Sequence, residues 1–205
     1  MDEAKYIDDL KEIKDIMSRS TRFISLSGLA GVSTGLIALV GAYFAYQTVY
    51  TNQDYQGYQR TFLTDENLFN LFAIAILTLL LSIVVGVFFT TQKARKNHQN
   101  IWDLQSKRLL VNLIIPLLSG GILCTMLLSK GYIGLVAPLT LIFYGLALVN
   151  ASKYTLSEIR SLGIIEIILG LISFQFIGYG LLFWSVGFGV LHIIYGIIMH
   201  VRYGS

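Results

Sequence analysis

The chain has 205 residues, of which 55% are hydrophobic and only 13% charged, with a formal charge of +3. Soluble domains carry about 25% charged residues, so this composition and the mean hydropathy of +0.67 exclude an ordinary soluble fold. With one cysteine, Cys124, no intramolecular disulfide can form. In its apolar run it reads as a small core side chain.

Residues 1–22 come first. Tyr6, Leu10, Ile13 and Met17 recur at spacings of four, three and four, which is one face of a helix. An N-terminal amphipathic cytoplasmic helix is expected, either docking a partner or a lipid surface or packing on its own protein. The acidic start, Met1-Asp2-Glu3, lacks the basic head of a signal peptide.

Residues 23–205 form the second unit. A crossing of the bilayer takes about 20 mostly apolar residues. Six segments meet this, with approximate limits 23–46, 68–91, 109–128, 131–150, 161–178 and 180–199. The expected fold is therefore all-α, a polytopic bundle of about six transmembrane helices. The loop at 47–67, rich in Tyr, Gln and Asn, reads as an interfacial aromatic belt. The last four segments make two tight hairpins, with turns at Ser129-Lys130-Gly131 and Ile177-Gly178-Tyr179-Gly180. Lys and Arg fix the expected orientation. With both ends inside, 13 of the 15 basic residues fall inside and only Arg60 and Lys130 outside. That predicts an inner, plasma-membrane protein with cytoplasmic N- and C-termini. The capping pattern Thr155-Leu156-Ser157-Glu158 predicts a helix start between the fourth and fifth spans.

Helices in lipid associate through small residues and polar contacts. In the first span Gly28, Gly31 and Gly35, followed by Ala38 and Ala42, recur every three or four residues. This stripe serves either the inside of the bundle or a contact between protomers. The string Gly31-Val32-Ser33-Thr34-Gly35 matches the hydrolase pattern GxSxG, but that pattern needs a strand-to-helix elbow and here it lies in a helix.

The last hairpin carries the most specific pattern. Gly163, Glu166, Gly170 and Ser173 share one face of the fifth span; Ser185, Gly189, His192 and Gly196 share one face of the sixth. Folded about Tyr179, the two faces are near mirror images. Gly170 then pairs with Gly189, Gly163 with Gly196, and Glu166 meets His192 directly. Glu166 is the only carboxylate inside a span, and an unpaired charge there is expensive. At about 1.5 Å per residue, Glu166, His192 and Asn112 lie in the cytoplasmic half, where Tyr144 and Tyr195 also fall. These five residues form the candidate polar site.

Other chemistry is missing. The sequence contains no HExxH, Walker loop, zinc-type Cys/His spacing or paired intramembrane aspartates. No cofactor and no metal site are expected, and the basic run Lys93-Ala94-Arg95-Lys96 reads as an anchor beside acidic lipid heads, not a nucleic-acid contact. The expected partners are the lipid bilayer and either a second copy or another membrane protein.

The stretch Tyr154-Thr155-Leu156-Ser157-Glu158-Ile159-Arg160-Ser161-Leu162-Gly163 and the run from Gly163 to Arg202 resemble a group of bacterial six-span inner-membrane proteins without assigned activity. The glycine spacing Gly163, Gly170, Gly187, Gly196 is similar to that of the short bacterial acid-resistance membrane proteins, although the usual turn proline is replaced by Ile177-Gly178-Tyr179. The resemblance implies location and fold only. The first functional expectation is a non-enzymatic binding, scaffold or stress-related component. The alternative is a small proton-linked transporter or channel with a cytoplasm-facing polar site. An intramembrane enzyme ranks third.

Overall fold

The computed structural model describes residues 26–50, 65–97 and 102–204. The expected amphipathic helix at 4–18 and most of the loop at 47–67 lie outside them. The described residues are all-α, with no strand among them. In chain order they form α1 (Gly28–Tyr50), α2 (Asp65–Lys96), α3 (Leu104–Ser129), α4 (Val136–Ala151), α5 (Ser157–Ser173), α6 (Gly180–Trp184) and α7 (His192–Tyr203). A π-helical segment, Ser185–Leu191, joins α6 to α7, and these three pieces make one continuous last helix. Five helices are long and apolar enough to cross a membrane; α5, at 17 residues, is a shorter sixth. This architecture is compatible with a multi-pass membrane protein.

α2 runs for 32 residues, about 48 Å, well beyond the 68–91 read from hydropathy. Among the described residues α1 packs along one side of it, yet no residue of its apolar stretch is fully buried, as expected of a helix whose other sides face lipid tails. Short turns at positive-φ glycines, Gly131 (φ 82°) and Gly178 (φ 108°), close the two hairpins. Only glycine takes such angles without strain.

The other end of the bundle gathers the basic residues. The ammonium of Lys93, at the end of α2, donates to the carbonyls of Gly204 (2.6 Å), Leu26 (3.3 Å) and Tyr203 (3.4 Å). It binds the exposed carbonyls ending α7 and the residues leading into α1, which is where a cation meets the negative end of a helix. So Lys93, read from sequence as a lipid anchor, is a buried clamp, 6% exposed. Arg202 Nη1 and the Tyr203 hydroxyl both donate to Glu158 Oε1, at 2.8 and 2.7 Å. Leu156 is the N-cap position of α5, and Glu158 in its first turn directs its carboxylate towards α7. Asn150 Nδ2 donates to the Asn112 carbonyl, joining α4 to α3. Replacing Lys93 with methionine, close in length but uncharged, should cost about 2 kcal/mol and lower the thermal midpoint in mild detergent. An unchanged midpoint would show that the clamp contributes nothing.

The glycine stripes all find partners within the chain. A Cβ on Gly31 would lie 2.9 Å from the Gly196 Cα, and one on Gly35 only 2.7 Å from the Gly189 carbonyl. Gly28 sits against the backbone of His200. The first-span stripe is therefore a seam between α1 and the last helix. On α5, a Cβ on Gly163 would lie 2.7 Å from the Gly145 carbonyl, and one on Gly170 only 2.9 Å from the Pro138 carbonyl. Those two glycines seat α5 on α4. The mirror pairing of Gly163 with Gly196 and Gly170 with Gly189 is thus overturned. In the last hairpin Gly163 and Gly170 face α4, while Gly189 and Gly196 face α1. A sequence folded on paper into a hairpin cannot show α4 and α1 competing for the same faces.

Candidate functional site

Although the glycines diverge, α4, α5 and the last helix meet at Gly187. A Cβ there would lie 2.5 Å from Glu166 Oε2 and would also strike the Leu141 side chain. Glycine at 187 is what admits the Glu166 carboxyl. Leu141 and Glu166, which meet there, are both 0% exposed. With Thr155, Pro138 and Ser173 they are the largest side chains less than 2% exposed among the described residues, and three of these five are polar.

Glu166 is 0% exposed, and neither carboxylate oxygen has a hydrogen-bond partner among the described residues. Its nearest basic group is His192, with Nδ1 3.8 Å from Glu166 Oε1. That is ion-pair range but too long for a hydrogen bond. The direct Glu166–His192 hydrogen bond expected from sequence is replaced by a juxtaposition. The imidazole is held by other atoms: Nδ1 lies 3.0 Å from the Gly187 carbonyl and Nε2 2.6 Å from the Tyr144 hydroxyl. A carbonyl only accepts, so Nδ1 carries the hydrogen facing Gly187. In the neutral ring Nε2 then accepts from Tyr144.

The ring planes add a second layer. Phe188 stacks on His192 at 6.0 Å and 15°, and lies 4.8 Å from Tyr144 and 4.8 Å from Trp184. Trp184, Phe188 and His192 are spaced by four, a periodicity visible in the sequence, but the polar pattern hid it. The π-helical segment covers Ser185–Leu191 and contains Gly187, whose carbonyl faces His192. Such segments frequently mark functional positions. The sequence showed only Pro116 and Pro138 as possible breaks. Pro116 lies inside an unbroken α3 and Pro138 in the first turn of α4; the irregularity lies in the last helix, where no proline announces it.

Of the five residues of the expected polar site, the structure brings together three: Glu166, His192 and Tyr144. Asn112 turns its amide back to the Arg108 carbonyl of its own helix, at 2.8 Å. Tyr195 makes no side-chain hydrogen bond among the described residues and stands apart. Sequence reading missed Gly187, Phe188 and Trp184 as neighbours of the site. No group of three metal-ligating side chains occurs among the described residues.

A cavity of about 530 Å³ opens near the hairpin turns and is lined by Thr125, Thr140, Ile177, Gly178, Leu181 and Trp184, among others. Trp184 lines it and meets Phe188 with the two rings tilted by 34°, while Glu166, His192 and Tyr144 are not among its lining residues. A second cleft, about 690 Å³, runs between α1 and α2 and is lined almost wholly by apolar side chains. A comparison with known proteins finds no matching family model, no matching curated protein and no matching solved structure, so the reading of the site rests on its geometry.

Proposed function

We propose that the protein is a small proton-linked membrane transporter or channel, and that Glu166 is the group that takes up and releases the proton. The observation that carries this reading is a fully buried carboxyl with no hydrogen-bond partner among the described residues, 3.8 Å from an imidazole. Ionisable groups inside a membrane are costly, and those that occur mark ion and proton routes by default. A purely structural carboxyl would be expected to spend its oxygens on donors; Glu158 does so and Glu166 does not.

The arrangement offers a relay in which each atom has a role. Tyr144 can pass a proton to His192 Nε2, while Nδ1–H stands 3.8 Å from Glu166 Oε1 and can pass its own proton on. One transfer leaves a tyrosinate, an imidazole with its hydrogen on Nε2 and a neutral Glu166 carboxyl; the cycle closes when Tyr144 takes a proton from water and the ring hydrogen returns to Nδ1, facing Gly187. The irregular Ser185–Leu191 segment gives the His192 backbone the slack that such a transfer requires.

The scaffold reading loses its main support, because the small-residue stripes that motivated it are used inside the chain. The uneven distribution of the basic residues supports the orientation proposed here, in the plasma membrane with the basic end and both termini in the cytoplasm. The test is proton entry into vesicles that contain the purified protein and a pH dye, driven by a potassium diffusion potential. Wild-type protein should acidify the lumen faster than empty vesicles, and Glu166→Gln should remove at least nine-tenths of that rate while folding normally. Equal rates in the two proteins, or no rate above empty vesicles, would overturn the proposal.

A further inference from the structure

Glu166 lacks a route to the turn end of the bundle if only its contacts are considered. None of Glu166, His192 and Tyr144 lines the 530 Å³ cavity, whereas Trp184 does. On that side the rings of Trp184 and Phe188 are in contact and offer no chain of hydrogen bonds. On α5, towards the turn, stands Ser173.

Ser173 is the last residue of α5, 0% exposed, and its hydroxyl has no hydrogen-bond partner among the described residues. It follows Glu166 by seven residues, two helical turns, and so lies on the same face. Its carbonyl accepts from Phe176 N at the start of the turn that leads to Ile177 and Gly178, which line the cavity. Two buried polar groups without a hydrogen-bond partner among the described residues thus lie on one helix face, one beside the imidazole and the other at the turn end of α5. Buried polar groups of this kind are ordinarily satisfied by interior water.

We infer that the seam between α5 and the last helix holds a short chain of water that links the cavity to Glu166, with the Ser173 hydroxyl as its outer relay. This rests on the proposed proton function and adds the second half of the path. The rise from Glu166 to Ser173 is about 10 Å, a span that about three waters bridge at hydrogen-bond spacing. A serine hydroxyl both donates and accepts, so it passes a proton on without changing charge. With Tyr144 and His192 on the basic side and Ser173 on the turn side, Glu166 sits between two half-paths.

Threonine and valine at position 173 separate the relay from packing. They have nearly the same shape, and only threonine keeps the hydroxyl. In the vesicle assay Ser173→Val should slow proton entry at least tenfold, and Ser173→Thr should stay within about threefold of wild type. The two variants should have equal thermal midpoints. If Val matches Thr while Glu166→Gln remains inactive, the path is wrong and the role of Glu166 stands. If Glu166→Gln also conducts normally, both fall. Hydration is read independently of transport by water-edited solid-state NMR of the full chain in bilayers. Rapid magnetisation transfer from water to the Ser173 and Glu166 side chains is expected, and transfer no faster than to Leu141 would overturn the inference whatever the flux.

Discussion

Gly196→Leu should abolish the folded protein, leaving aggregate on size exclusion in a detergent that keeps the wild type monodisperse. The reason is backbone proximity. A Cβ at 196 would lie 2.5 Å from Val32 N, 2.7 Å from the Gly28 carbonyl and 2.9 Å from the Gly31 carbonyl carbon. These are backbone atoms of a packed helix, so no rotamer change relieves the contact, and α1 must move away from the last helix. Changes that force helices apart cost about 4 kcal/mol or more, a large part of the 5–15 kcal/mol that typically holds a domain together. Gly31→Leu attacks the same contact from α1 and should fail alike. The two costs should not add, because either one already separates the helices. Gly121→Leu is the control: nothing lies within 4 Å of its Cβ position, so it should fold and elute as wild type. A folded Gly196→Leu protein would mean that α1 and α7 do not pack as described.

The number of helices, their turns and the grouping of basic residues at one end were legible because each depends on local properties: run length, glycine at a sharp turn, charge at a boundary. So was the importance of Gly28, Gly31 and Gly35. Their partner was not legible, because small residues announce close approach without saying what approaches. The same limit explains the failed mirror pairing on Gly163 and Gly170. The site was half legible. Glu166 and His192 stood out as ionisable groups in apolar runs, and both lie at the Gly187 junction. Yet the inferred bond between them gave way to His192 bonding Tyr144 and Gly187. That choice depends on α4 lying against the last helix, 48 residues away in sequence. Asn112 was grouped with the site by depth alone, and depth does not fix the direction round a helix. The π-helical segment left no trace in composition because its residues, Ser-Val-Gly-Phe-Gly-Val-Leu, suit a membrane helix equally well.

His192→Leu should nearly stop proton entry and also lower stability, whereas Tyr144→Phe should slow entry with little change in fold. His192 faces three groups at once: the Tyr144 hydroxyl, the Gly187 carbonyl and the Glu166 carboxyl. Leucine fills similar space but leaves the hydroxyl and the carbonyl without the ring they bond. Each buried polar group stranded in this way costs about 1–3 kcal/mol, so a drop of several degrees in thermal midpoint is expected. The carboxyl also loses the imidazole, its nearest proton donor among the described residues. A positioned acid or base is worth about 10²–10⁴ in rate, so the residual flux should fall at least a hundredfold. Tyr144→Phe removes one hydroxyl and keeps the ring that packs on Phe188. His192 Nε2 then loses its donor while Nδ1 keeps its bond to the Gly187 carbonyl, so a loss of about tenfold with a midpoint within a few degrees is expected. Double variants distinguish a path from a set of independent effects. If His192 and Glu166 act in one line, Glu166→Gln combined with His192→Leu should be no slower than Glu166→Gln alone. A further loss in the double variant would place His192 on a separate route, and a wild-type rate in His192→Leu would remove the imidazole from the mechanism.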